Sequence, residues 1–467
     1  MNTRTEHDFI GEMEIPNDNY YGIQTMRAMD NFFITGTPIN SEPFMVNGLA
    51  YVKKAAAHAN ADLGVIERDV ADAISYACDE ILAGKYHDQF LTDLIQGGAG
   101  TSVNMNANEV IANVALEKMG FEKGDYIHCH PNNHVNASQS TNDAYPTAFR
   151  IALLKRLDEY KGSLAALASS FRRKGEEFKN VLKMGRTQLQ DAVPMSMGAE
   201  FYSWGNTIRE ELARVDSAKN LIREINMGAT AIGTKINAPS EYPDLVTKYL
   251  VKFSGSPLFL AEDLIEATSD TGAYVQLSGV LKRTAVKLSK ISNDLRLLSS
   301  GPRTGFNEIN LPRMQPGSSI MPGKVNPVIP EVVNQVAFYV IGADITITMA
   351  AEAGQLQLNV MEPVISYSLF NSILFLSRAC ETLRKKAIDG ITANPEHTAK
   401  MVMNSVGIVT LLNPIIGYEE SSSIAKEALA TKKSIHDIAV VDRKVVTQEK
   451  WDELFKFENL IHPKYIV

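Results

Sequence analysis

Residues 317–327 read Gly-Ser-Ser-Ile-Met-Pro-Gly-Lys-Val-Asn-Pro, placing two hydroxyls, Ser318 and Ser319, close to one cation, Lys324, and one amide, Asn326. Pro316, Pro322, Pro327 and Pro330 forbid a regular helix or central strand here, while Gly317 and Gly323 open backbone conformations closed to other residues. Ile320, Met321 and Val325 are too apolar for a disordered tract. A long irregular connection that is not disordered is usually functional.

Three further clusters carry hydroxyls and amides. Gly97-Gly98-Ala99-Gly100-Thr101-Ser102 is a glycine-rich turn leading into a helix, where backbone N–H groups make a ready anion site. Taken alone, it also reads as a flexible turn with Thr101 or Ser102 as helix cap. It lacks the Gly-Lys-Ser/Thr of a nucleotide-binding P-loop. Pro131-Asn132-Asn133-His134-Val135-Asn136, followed by Ser138-Gln139-Ser140-Thr141-Asn142-Asp143, precedes a long helix and equally resembles a capping turn. His128, His130 and His134 lack the matched second ligand pair of a zinc site, so no metal is expected. Gly185-Arg186-Thr187-Gln188-Leu189-Gln190-Asp191 interrupts the helical pattern and reads as either a helix break or a site. Many neutral donors, one cation and no obvious catalytic histidine suit a small dicarboxylate. Lys324 and Asn326 would hold one carboxylate, and a cluster of hydroxyls and N–H groups the other. The implied reaction removes a proton alpha to that second carboxylate and then expels a group from the next carbon.

The elements that position these clusters are helices. Proline-free stretches at 147–193, 195–238, 258–301, 331–361 and 364–394 predict five long segments in an elongated helical bundle, an all-α fold with smaller terminal parts. Leu281, Val286, Leu288, Ile291, Leu295 and Leu298 recur at helical spacing. Val332, Val333, Val336, Ala337, Val340, Ile341, Ile345 and Ile347 surround their helix axis almost completely, which predicts a helix buried on all sides or shared between subunits. A helical pattern also runs from about Phe44 to Ala83. Three domains are expected, at 1–140, 141–394 and 395–467.

With 46 basic and 54 acidic side chains interspersed, a net charge of −8 offers no field for nucleic acid. No long apolar run or leader-like N-terminus is evident, so a cytoplasmic protein without membrane partners is expected. Cys78, Cys129 and Cys380 are few and far apart, and read as buried apolar residues.

The four clusters together resemble the aspartase/fumarase superfamily over essentially the whole chain, with the 317–327 loop the most specific stretch. Ala99, Thr141 and Gln188 favour the aspartases, since fumarases usually carry Ser, Ser and His there. The resemblance implies a carbon-nitrogen lyase acting on L-aspartate and fumarate, with Ser318 as the base. Thr101, Ser140, Thr141 and Ser319 would bind the β-carboxylate, Asn142, Thr187 and Gln188 the amino group, and Lys324 and Asn326 the α-carboxylate. It further implies a homotetramer with active sites shared among three subunits and no required cofactor, divalent-cation activation being left open. Gly233-Thr234-Lys235-Ile236-Asn237 departs from the aspartases, which usually have glycine at position 235. Alternatives are a fumarate hydratase, a lyase for larger N-substituted aspartates, and a helical scaffold without turnover.

Overall fold

The computed structural model describes residues 2–462, which are mainly helical. An antiparallel hairpin, β1 (Thr3–His7) with β2 (Glu12–Pro16), opens the chain. Four helices follow: α1 (Ile23–Asn31), α2 (Pro43–Asp62), α3 (Arg68–Leu82) and α4 (Thr101–Met119). The Phe44-to-Ala83 pattern is therefore two helices. Gly64, at φ 68°, takes the left-handed conformation that ends α2.

Helix α4 is buried on nearly every side although it carries Asn104, Asn106, Asn108, Glu109 and Asn113. A buried polar group costs little only when it is hydrogen-bonded, and these side chains serve irregular backbone nearby. Asn113 donates to the Tyr20 carbonyl and accepts from Gly124 N–H, both at 2.8 Å. The Glu109 carboxylate accepts from the N–H groups of Gly22, Gln24 and Thr25 and from the Thr25 hydroxyl, so it caps the start of α1 from a neighbouring helix.

Each long proline-free stretch holds most of one long helix, but three of these helices begin before their stretch and carry Pro146, Pro330 and Pro363 in their N-terminal turns. Pro330 therefore does not forbid a helix as expected, because a proline this near a helix start gives up an N–H that has no partner there. First comes α5 (Thr141–Glu177), then a hairpin of β3 (Leu182–Thr187) and β4 (Gln190–Ser196), then α6 (Met197–Ile222). Short pieces follow: β5 (Glu224–Ile225), α7 (Tyr242–Ser254), β6 (Phe259–Leu260) and α8 (Glu266–Ser269). Next are α9 (Gly272–Leu298), β7 (Ile309–Asn310), α10 (Val328–Glu352) and α11 (Glu362–Lys386). The chain closes with β8 (Thr392–Ala393), which pairs with β7, and with α12 (Pro395–Asn404), α13 (Asn413–Thr431), α14 (Gln448–Leu454) and α15 (Phe457–Ile461).

Two compact units emerge, one from residues up to 162 with 212–285 and 338–377, the other from 163–211, 286–337 and 378 onward. Helices α5, α6, α9, α10 and α11 contribute residues to both. In the first unit, Phe149 packs against Tyr274 and Phe370, and the Tyr145 hydroxyl shares a 3.0 Å hydrogen bond with Ser366. In the second, Phe171, Phe178, Phe201 and Trp204 form one aromatic cluster, and Ile408, Leu412, Ile424, Ile438 and Trp451 another apolar core. Each such side chain, fully buried, stabilises its unit by about 1.5–3 kcal/mol. Along α9, Leu281, Leu288, Ile291, Leu295 and Leu298 are buried as expected, whereas Val286 is exposed. All three cysteines are buried thiols.

Candidate active site

The 317–327 loop is folded on itself rather than open. Gly317 N–H donates to the Lys324 carbonyl at 2.7 Å, and Asn326 Nδ2 donates to the Gly317 carbonyl at 2.8 Å, pinning the two ends together. A Cβ on residue 317 would stand 2.7 Å from the Lys324 carbonyl oxygen and 2.8 Å from Asn326 N, so this close approach requires glycine. Within the loop, Ser318 Oγ accepts from Ile320 N–H at 3.2 Å and Met321 N–H at 3.0 Å. Those two donors are the interactions that would stabilise a serine oxygen carrying negative charge. Ser319 and Lys324 are exposed, and Lys324 makes no ion pair among the described residues. Asn326 has one amide proton committed to the loop and one left for a ligand. Lys324 and Asn326 line a cavity of about 470 Å³ with Arg296, Arg313 and Glu331.

Thr187 and Gln188 lie at the tip of a β-hairpin, where the sequence reads as a helix break or a site. The turn residues Gln188 and Leu189 both have positive φ, 54° and 62°, as a two-residue turn of mirror-image type I demands. Neither residue type signals such a turn, and Pro194 argues against a strand, yet it fits β4 opposite Met184. The hairpin base is held by charge. Lys183 Nζ lies 2.6 Å from Glu200 and 2.9 Å from Glu308, and Arg186 bonds the other Glu308 oxygen while stacking over Phe306. Thr187 and Gln188 themselves are exposed. Among the described residues, no hydrogen bond or ion pair joins this tip to the 317–327 loop.

The remaining four residues belong to the first unit. Thr101 opens α4 after three left-handed residues, Gly98, Ala99 and Gly100. A Cβ at Gly100 would stand 2.4 Å from the Tyr145 ring. Gly100 is the helix cap, not Thr101 or Ser102, and the Thr101 hydroxyl turns back to donate to the Gly98 carbonyl at 2.7 Å. Ser140 Oγ accepts from Asn142 N–H, and Ser140 N–H donates to Asp143 Oδ1. Asn142 Nδ2 donates to the Ala231 carbonyl at 2.7 Å, while Asp143 also accepts from Gly228 and Thr230 N–H. Asn142 and Asp143 thus tie the start of α5 to the 226–231 loop.

Behind Thr141 lies a set of groups to which none of the four sequence clusters points on its own. Lys53 on α2 is fully buried and donates to three amide oxygens, Asn104 Oδ1 at 2.7 Å and Asn136 Oδ1 and Gln139 Oε1 at 2.9 Å. Asn104 Nδ2 in turn donates to Thr141 Oγ1 at 3.2 Å. Burial draws the Lys53 pKa down to about 7, against the pull of Asp143, and pushes the Asp143 carboxyl up to about 7, against three backbone donors and Lys53. The available signal was position: Leu49, Ala50, Val52, Ala56 and Ala57 put Lys53 on an apolar helix face. His130 and His134 serve the backbone, with His130 Nδ1 accepting from Asn132 and Asn133 N–H and His134 Nδ1 accepting from His130 N–H.

A family model described as "Lyase" matches residues 11–342, and one described as "Fumarase C C-terminus" matches residues 408–462. The chain belongs to the aspartase/fumarase superfamily. Within it, the aspartate ammonia-lyase of Helicobacter pylori strain J99 is 59% identical over 460 residues, 98% of each chain. That of Escherichia coli K12 is 55% identical, covering 99% of this chain and 97% of the relative. Among solved structures, a Brucella melitensis protein described as fumarate lyase:delta crystallin, bound to cobalt, has a TM-score of 0.93 at 52% identity, covering 95% of this chain and 96% of its own. The class II fumarase of Schistosoma mansoni has the same TM-score at 34% identity, covering 99% of this chain and 100% of its own. Superfamily membership accounts for the predominance of helix.

Proposed function

We propose that the chain catalyses the reversible deamination of L-aspartate to fumarate and ammonia. The observation that carries this reading is the end-to-end likeness to aspartate ammonia-lyases, 55–59% identical, against 34% for a class II fumarase. Gln188, where fumarases usually carry histidine, favours the same leaving group.

In this reading Ser318, ionised to the alkoxide once its own proton has passed to solvent, takes the C3 proton on Oγ. The C–H electron pair moves into the β-carboxylate to give an aci-carboxylate, which then expels ammonia as the C2–N bond breaks. A serine hydroxyl is a weak base at its ordinary pKa, and the Ile320 and Met321 N–H groups lower the cost of charge on its oxygen. Thr101, Ser140, Thr141 and Ser319 receive the β-carboxylate, where charge builds up. Asn142, Thr187 and Gln188 hold the amino group, and Lys324 and Asn326 the α-carboxylate. With Ser318 as the alkoxide the step balances, since the C3 proton ends on Ser318 Oγ and the C2–N electron pair leaves with ammonia.

The exposed apolar side chains of α10, among them Val332, Phe338, Ile345 and Met349, suit an interface between subunits, and the superfamily resemblance supplies the homotetramer and the composite active sites of this reading. Purified protein is expected to generate fumarate from L-aspartate, seen as rising ultraviolet absorbance, and Ser318→Ala to abolish nearly all of it with the assembly intact. Faster turnover of malate than of aspartate would favour the hydratase, and full activity in Ser318→Ala would remove the base.

A further inference from the structure

Lys53 has its Nζ within 2.9 Å of three neutral amide oxygens and makes no ion pair among the described residues. In its protonated form, held at neutral pH and below, it is therefore a buried cation without a counter-ion in contact. Removing an ammonium from water costs several kcal/mol and is offset only by excellent geometry. For packing alone, an apolar residue of similar volume would serve at least as well. The charge has another consequence, which is directional.

An ammonium only donates, and it has three protons. Here each is matched to one oxygen, so the amides of Asn104, Asn136 and Gln139 all point oxygen inward and nitrogen outward. Every outward nitrogen is accounted for. Gln139 Nε2 donates to the Val135 and Ala137 carbonyls, and Asn136 Nδ2 to the Gln139 carbonyl. Asn104 Nδ2 donates to Asn136 Oδ1 and to Thr141 Oγ1. Asn108 Nδ2, from the next turn of α4, also donates to Asn136 Oδ1, which excludes the flipped amide. Because Thr141 Oγ1 receives a proton from Asn104, its own hydroxyl proton is free to point away from the network.

We infer that Lys53 is a positioning residue which, through Asn104, fixes the Thr141 hydroxyl as a donor toward the substrate carboxylate. This rests on the reading of Thr141 as a β-carboxylate ligand. The benefit falls on the aci-carboxylate, which carries more charge than the substrate carboxylate, so kcat is affected more than KM. With a neutral side chain at position 53, the Asn104 amide loses its reason to face inward, and the Thr141 hydroxyl can turn to donate to it instead.

The test is a double-mutant cycle in the full-length protein, with kcat and KM for L-aspartate and the melting temperature measured for each member. Thr141→Val should lower kcat by about a hundredfold, the scale of one lost oxyanion donor. Lys53→Met should lower kcat by a comparable factor, with KM changed less and the melting temperature held or raised. The double variant should be little worse than Thr141→Val alone, because both changes remove the same donor. Losses that multiply, or a Lys53→Met enzyme with wild-type kcat, would overturn the inference while leaving the proposed reaction standing. A wild-type protein without activity on aspartate would overturn the reaction itself, and this role with it. Should Lys53→Met fail to fold, Asn104→Leu breaks the same chain at its second link and is held to the same non-additivity with Thr141→Val.

Discussion

Lysine is an unusual choice at position 235. The backbone there is left-handed, φ 60°, with Asn237 at 63°, so the glycine usual in aspartases has a conformational reason. A side chain in this region costs about 1–2 kcal/mol, partly offset by the greater freedom glycine recovers in the unfolded chain. Lys235 is exposed, and its N–H donates to the Ala229 carbonyl at 3.1 Å, so the loop accepts the lysine without losing that bond. Lys235→Gly is expected to raise the unfolding free energy by up to about 1 kcal/mol and to leave KM and kcat for aspartate within about twofold. Denaturant melts and steady-state rates check both. A large change in KM or substrate preference would put the ammonium at the site and reverse the conclusion.

At the scale of elements, the loop carrying Ser318 depends on the bare backbone of Gly317. Gly317→Ala would push its Cβ against the Lys324 carbonyl and Asn326 N, spreading the loop ends by tenths of an ångström or more. Misplacement of this order weakens catalysis sharply, so kcat is expected to fall at least about tenfold. The melting temperature should move little, because the loop is largely exposed and carries little of the core. Unchanged kcat would mean that the closed loop base is not needed for turnover. This loop was legible in the sequence because its signals are local: prolines, glycines and hydroxyls within a dozen residues. The five long helices were legible for a similar reason, since proline placement and 3.6-residue periodicity are properties of single segments. The hairpin bearing Thr187 and Gln188 was not, because Gln188 and Leu189 lack turn chemistry and β4 contains a proline. The break between α2 and α3 is less legible, because a lone glycine, Gly64, marks it without a proline. Lys53 is not legible as a site residue because its meaning lies in partners 51, 83 and 86 residues away, which only folding assembles.

Across the whole molecule, proposed site residues come from both compact units, Thr101 and Ser140 to Asn142 from one and the hairpin tip and 317–327 loop from the other. Periodicity relates none of these segments to the others, and their assignment to one substrate is what the superfamily resemblance implies. The same holds for α10: its apolar ring was legible, but Val332 and Ile345 of that ring are exposed in the single chain, as are Phe338 and Met349 beside them. The cap that Glu109 places on α1 has a further consequence, in proton bookkeeping. Burial, reinforced by the neighbouring Glu6 charge and opposed by the Thr25, Gln24 and Gly22 donors, raises the Glu109 pKa from 4.5 to about 7. Between those two values the folded chain holds a proton that the unfolded chain has released. Folding therefore takes up a proton, and this group's contribution to stability is greatest in mild acid and declines as the pH rises to about 7. A shift of this size corresponds to about 3 kcal/mol over the window. Urea unfolding at pH 5 and pH 7.5 should show a shallower decline in Glu109→Gln than in the wild type; an identical slope would mean that Glu109 titrates normally. A carboxylate placed to hold one helix start thus ties the N-terminal part of the fold to the acidity of its surroundings.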